Sequence, residues 1–297
     1  MKHVGLLVLG SFINSLGTGL SAFGLAVVIL RVYGTASSVA AVQMSTFAPI
    51  VLLAPLAGAL ADRYDRRLMM IIGDAGSILG LGIILAALSS PRPSLAWVCA
   101  GAVISSCLAA LTEPALRASV TDLVTEEDYV RSSGLLQLAS AAKYLLAPAA
   151  AGFLMPLVGV RGLLLLDAST CLVTVGCTMT VRRALAVGTS RRAAAQPGDD
   201  HDVLAGWRTI TASPGLRTLV VLMTLATLAI GVIQVLIKPI LLPTVSTAEM
   251  GVVETVAAAG MLVGAALVTA WKSAQPTTLL AAGLAGTGVA MVPVPLA

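Results

Sequence analysis

Residues 58 to 67 read Gly58-Ala-Leu-Ala-Asp-Arg-Tyr-Asp-Arg-Arg67, three arginines and two aspartates set between two long apolar runs. Only 11% of the chain is charged, so a knot this dense marks a place where the polypeptide meets water. Charge at the centre of a bilayer costs roughly 2.5 to 3.5 kcal/mol per residue on insertion scales. The apolar runs on either side, 38–61 and 68–89, are each long enough to cross about 30 Å of hydrocarbon as a helix.

The rest of the chain repeats this pattern. Hydrophobic residues make up 58% of the 297, aromatics only 4%, and mean hydropathy is +0.97, which no soluble globular domain of this size would show. The reading is an all-α integral membrane protein, because a membrane barrel would show alternating segments of about ten residues instead. Nine spans are expected, at 4–30, 38–61, 68–89, 94–116, 134–156, 160–181, 216–238, 248–270 and 277–297. The first is too long for a signal peptide and lacks a small-residue cleavage site, so it reads as a retained helix.

Lysine and arginine in short loops collect on the cytoplasmic side. Alternate loops divide accordingly: Lys2, Arg63, Arg66, Arg67, Arg117, Arg131, Arg182, Arg183, Arg191, Arg192, Arg208, Arg217 and Lys272 fall in one set, and Arg31, Arg92, Arg161 and Lys238 in the other. The expectation is a multi-pass plasma-membrane protein with a cytoplasmic amino terminus. The net charge of +4 is then a topology signal, and no nucleic-acid partner is expected. Cys99, Cys107, Cys171 and Cys177 all fall inside spans, and with two histidines in the chain no metal-ligand cluster forms. No cofactor is expected. No nucleotide-binding loop and no clustered acid, histidine or nucleophile points to an enzyme.

One long polar interruption separates six spans from three. The expected organisation is an amino-terminal six-helix bundle at 1–181, a cytoplasmic linker at 182–214 and a partial second bundle of about three helices at 215–297. Within the linker, Asp202 to Thr211 reads as a short amphipathic helix with Trp207 at the headgroups.

The loop Gly58-x-x-x-Asp62-Arg63-x-x-Arg66-Arg67 resembles the signature between the second and third spans of the major facilitator superfamily, with Asp65 where many members have glycine. Read from Pro55, the stretch is similar to the macrolide and siderophore exporter branch, as are Asp122-Leu-Val-Thr-Glu-Glu-Asp128, Leu166-Asp-Ala-Ser169 and Gly206-Trp-Arg208. The family's antiporter motif in the fifth span falls on Gly134, Lys143, Ala147, Pro148, Ala151 and Gly152, three of six identical and two more changed only from glycine to alanine. Small residues there allow close helix approach, and Pro148 removes a backbone hydrogen bond. An ordinary small-residue membrane helix with one proline fits the same positions.

The resemblance implies a secondary transporter, exporting a hydrophobic drug-like or natural-product small molecule against protons by alternating access within the lipid bilayer. It implies that the Gly58–Arg67 loop, through Asp62, Arg63, Asp65, Arg66 and Arg67, is part of a gate, with Glu113 and Asp122 as partners of Arg66. It also implies six plus six helices, and the chain stops three short; the alternative is a truncated, non-transporting membrane remnant or interaction partner.

Ionisable residues inside spans are expensive, and each asks for a role. Asp74, Glu113, Lys143, Asp167 and Glu254 are those in this chain. For Asp74 and Glu113, near the inner boundary, pairing with loop arginines is one reading and a proton or substrate pathway the other. Lys143 lies roughly 13 Å into its span and Glu254 roughly 9 Å into its own; the resemblance implies that these spans are neighbours across a cavity, so a Lys143–Glu254 contact is one reading, beside a lysine that faces a wet cavity or is held neutral. Asp167 reads as a proton carrier or as a structural acid capped by Ser169 or Thr170. Asn14, Gln137 and Gln234 complete the pathway candidates as neutral lining groups, for which helix-to-helix hydrogen bonds are the other explanation.

Overall fold

The computed structural model describes residues 2–90, 93–186 and 213–270, apart from some side chains within them. Every regular element among these is a helix: α1 Lys2–Tyr33, α2 Ala36–Arg63, α3 Arg66–Ser89, α4 Leu95–Ala109, α5 Thr112–Leu123, α6 Glu126–Leu145, α7 Ala147–Ala186, α8 Pro214–Leu241 and α9 Thr247–Ala270. Five helical stretches among the described residues are long and apolar enough to cross a membrane: His3–Tyr33, Ala36–Ala61, Arg66–Ser89, Leu95–Leu123 and Ala147–Leu185. The expected ninth span, 277–297, and the amphipathic helix in the linker lie outside the described residues.

Prolines and one glycine redraw the expected spans. The fourth, expected as one helix, is broken at Ala110–Leu111 into α4 and α5. Pro114 lies in the first turn of α5, where a residue without an N–H does no harm, and its ring would clash with the carbonyl of Ala110 in a continuous helix. Pro148 acts likewise: α6 ends at Leu145, Leu146 is the break, and Pro148 falls in the first turn of α7. The expected fifth span thus straddles two helices. Within α7, Gly159 leaves helical geometry at φ 65° and ψ 178°, between the expected fifth and sixth spans. Only glycine adopts that left-handed φ without strain.

The chain divides into two compact units, Met1–Pro197 with Ile237–Thr255, and Gly198–Leu236 with Val256–Ala297. In the first unit α1 is the hub, packed most extensively on α7 and also on α6, while α3 packs on α4 and α7, and α2 on α4. Two apolar clusters stack along these helices. One gathers Leu25, Ile29, Val39, Leu81, Ile84, Val98 and Leu164; the other gathers Val4, Leu7, Met69, Met70, Leu116, Val120 and Val181. A third joins Phe23, Val27, Ala151, Met155, Leu163 and Met250. In the second unit the described part of α8 exposes Val220, Val221, Leu225, Leu228, Val232 and Leu236, an apolar surface of the sort a bilayer covers.

Candidate functional site

Between the first two clusters lies a polar layer. Moving along α1 from Leu7 to Leu25, the chain passes Ser11, Asn14, Ser15, Thr18 and Ser21; α7 contributes Asp167, Thr170, Cys171 and Thr174; α3 adds Asp74 and Ser77, and α5 adds Thr112. On α1 and α7 these residues recur at three- and four-residue intervals, so they share one helix face. Asp74 and Asp167 are both almost fully buried, at 3% and 4% exposure. Asp74 lies eight residues into α3, about 12 Å from its start, well away from the loop.

Each acid is approached by hydroxyl groups from another helix. Ser21 Oγ donates to Asp167 Oδ2 at 2.5 Å, and Thr112 Oγ1 donates to Asp74 Oδ1 at 3.1 Å. Their other oxygens, Asp167 Oδ1 and Asp74 Oδ2, are buried with no hydrogen-bond partner among the described residues. Cys171 donates through Sγ to Asn14 Oδ1 at 3.4 Å, and Thr174 Oγ1 donates to Gly10 O. A small cavity of about 60 Å³ opens beside this layer, lined among others by Ser11, Asn14, Ser15, Thr112, Glu113 and Thr174. Two buried carboxyls, each with one oxygen unfilled and no bonded base among the described residues, can each hold a proton.

The Gly58–Arg67 loop joins α2 to α3. Arg66 Nη1 lies 2.6 Å from Asp122 Oδ2 at the end of α5, and Arg66 also donates to Ala118 O through Nη1 and to Ala61 O through Nε. Asp65 Oδ1 accepts from the Arg67 N–H, capping α3, while Oδ2 accepts from Arg182 Nε at 2.8 Å near the end of α7. Sequence reading did not find Arg182 as a partner. Arg63 is exposed, Gly58 has open space beside its Cα, and the buried Arg67 Nε has no partner among the described residues. The side chain of Asp62 lies outside the described part of the structure.

Several expected contacts are replaced by others. Glu113 does not reach Arg66; it pairs with Arg117 one turn along its own exposed helix face. Asp74 bonds Thr112 in place of the loop arginines. Asp167 bonds Ser21, while Ser169 and Thr170 turn to backbone carbonyls of their own helix. Lys143 and Glu254 do not meet. Lys143, in the last turn of α6, lies over the ring of its neighbour Tyr144, and Glu254 on α9 pairs at 2.5 Å with Lys238 on α8. Gln137 is exposed and Gln234 is half-buried.

The residues at the antiporter-like positions separate into two groups. Gly134 has open space around it. Ala147, Pro148, Ala151 and Gly152 form a buried, small-residue face. A Cβ at Gly152 would stand 2.5 Å from Thr247 O and 3.1 Å from Ala248 Cα, and a Cβ at Gly251 would strike Pro148 O. Here α7 and α9 touch backbone to backbone, and Thr255 Oγ1 accepts from the Ala149 N–H at 3.2 Å. Small side chains are what permit that approach.

Comparison with known proteins agrees with this architecture. Two uncharacterized MFS-type transporters, from Mycobacterium bovis and Mycobacterium tuberculosis, are each 33% identical to this chain over 111 residues. The matched segment is 34% of this chain and spans about a quarter, 24%, of the length of each relative. A sequence profile described as Major Facilitator Superfamily matches residues 7–297, nearly the whole length. With its all-helical, membrane-spanning build and the profile match from end to end, the chain belongs to the major facilitator superfamily.

Proposed function

We propose that this protein is a secondary active transporter of the plasma membrane, with its amino terminus in the cytoplasm, that exports a hydrophobic drug-like or natural-product small molecule in exchange for protons. The observation that carries the reading is the polar layer: Asp74 and Asp167 are buried within membrane-length helices, each with one oxygen unfilled among the described residues. Carboxyls are costly in that position, and a proton taken up and released there gives them a use. Asn14, beside Asp167 through Cys171, belongs to the same pathway. Glu254, Gln137 and Gln234 stand apart from this layer in the contacts they make.

In this reading the transporter alternates access by rocking of helical bundles, the amino-terminal one at 1–181 and a second at 215–297 joined by the linker at 182–214. The Gly58–Arg67 loop works as a gate element fastened to its own bundle by Arg66–Asp122. Its motif residues Asp62 and Arg63 serve the same gate towards the second bundle, as the family resemblance implies. The small-residue seam at Ala147, Pro148, Ala151 and Gly152 resembles the family's antiporter motif, with alanine for glycine at two of these positions, and supports export over import.

Inverted membrane vesicles loaded with a macrolide-type probe test the reading. Uptake driven by an imposed proton gradient, collapsed by a protonophore and lost in Asp62→Asn and Asp167→Asn with insertion intact, is the expected result. Absence of gradient-driven uptake for a panel of such compounds would favour a membrane protein that acts as an interaction partner without transport.

A further inference from the structure

We propose that Phe23 and Glu254 form a recognition site for an organic ammonium ion, and that the ammonium of Lys238 occupies it as an internal stand-in. Lys238 Nζ lies 2.5 Å from Glu254 Oε1 and 5.5 Å from the centroid of the Phe23 ring. An aromatic face and a carboxylate converging on one cation is the arrangement that recognises alkylated ammonium groups. The pair is sunk in the protein, with side-chain exposures of 8% for Lys238 and 17% for Glu254. Phe23 clusters with Val27, Met155, Leu163 and Met250, apolar neighbours that suit the alkyl substituents of such a cation.

The three groups differ in how firmly they are placed. Phe23 is fixed in the apolar cluster on α1, at 2% exposure. Glu254 lies seven residues into α9, about 10 Å from its start, too deep for a short side chain to reach the surface. Lys238 is three residues from the end of α8 and is followed by Pro239 and the turn at Leu242–Ser246. Its four-carbon stem can carry the ammonium from that position to the headgroup region. The cation is therefore the exchangeable member, and the ring and carboxylate are the site.

An entering ammonium ion can take the place of Lys238 without leaving the Glu254 carboxylate uncompensated. A neutral molecule cannot, because it would strand a buried charge. Room for the displaced side chain or for the arms of the ligand exists alongside. Leu242, which packs against the same apolar cluster, also lines an open cavity of about 280 Å³ with Leu30, Gly34, Pro239 and Pro243; Arg31, exposed to solvent, completes the lining. Calling such a cation a transported substrate rests on the transporter reading above, whereas its binding does not.

The test is direct binding of radiolabelled tetraethylammonium to the purified full chain in lipid nanodiscs. Lys238→Met removes the internal competitor and is expected to tighten binding about three- to thirtyfold, the range a desolvated cation–π contact spans. Adding Glu254→Gln to that variant abolishes the gain, and adding Phe23→Leu reduces it by about the same factor. Because Lys238→Met leaves a buried carboxylate alone and can fail to fold, wild-type protein supplies a second readout. Saturating tetraethylammonium should speed acylation of Lys238 by a membrane-impermeant amine reagent, as the side chain moves to the surface. Equal affinity in wild type and folded Lys238→Met, or an unchanged rate of Lys238 acylation, overturns the proposal. Gradient-driven uptake in vesicles reports on the transporter reading independently, so the two can fail separately.

Discussion

Arg66 and Asp122 hold two helix ends together at 2.6 Å, across the 56 residues that separate them in the chain. The ion pair is half in solvent, with side-chain exposures of 29% and 51%, so its charges alone contribute about 0–1 kcal/mol. The guanidinium also bonds the carbonyls of Ala61 and Ala118, and this three-way fork is what a planar arginine can do and a point-charge lysine cannot.

Arg66→Lys should therefore behave almost like Arg66→Ala, losing about 1–2 kcal/mol, while Asp122→Asn loses less than about 1 kcal/mol. Thermal unfolding in detergent, followed by tryptophan fluorescence, would rank the three. A full rescue by lysine would show that charge alone matters at this position.

Asp65→Gly restores the residue common at this position in the resembled family, and it removes two bonds at once, the cap on α3 and the tie to Arg182. Replacing this cap by glycine costs about 0.3 kcal/mol even before the ion pair is counted. Arg182→Gln removes only the exposed pair and should change stability by less than about 1 kcal/mol. In 0.5 M salt the two variants should keep their order, since a cap is screened far less than a surface pair.

Ser21→Ala takes away the donor that holds Asp167. With the shortest hydrogen bond to this buried carboxyl gone, the variant should lose about 1–3 kcal/mol. Combining it with Asp167→Leu should cost less than the sum of the single changes, because the group that needed Ser21 is gone. A double-mutant cycle by thermal unfolding reads this out, and strict additivity would argue that the bond contributes nothing.

Gly152→Ala and Gly251→Ala both wedge a methyl group into the contact between α7 and α9, against backbone atoms that cannot rotate aside. Each should destabilise by about 1–3 kcal/mol. Gly134→Ala, with open space beside it, should change nothing measurable or stabilise its helix slightly.

The all-helical membrane architecture was legible in hydropathy, and the loop between α2 and α3 was found from five charges in an apolar context. Where helices break was harder to read, because an apolar run looks the same whether or not it is interrupted; Pro114 and Pro148 were visible signals, and their positions in a first turn explain where α5 and α7 begin. Partners across the bundle were the weakest part. Asp122 was foreseen for Arg66, but Arg182 for Asp65 and Lys238 for Glu254 were not, since linear spacing does not say which distant helix ends meet. The polar layer had a signal that went unused: Ser11, Asn14, Thr18 and Ser21 on α1 recur at the same interval as Asp167, Thr170, Cys171 and Thr174 on α7.

The packing of α1 on α7 has a consequence for biosynthesis. Helix α1 finds its most extensive neighbour some 150 residues later in the chain, so it must wait in the bilayer until α7 has been made. Until then the hydroxyls of its polar face have carbonyls of their own helix, as Ser21 has Thr18 O, but not their partners on α7. Substitutions that make this face greasier, such as Ser21→Leu, should ease the insertion of α1 and impair its later docking. Yield and native assembly would then move in opposite directions.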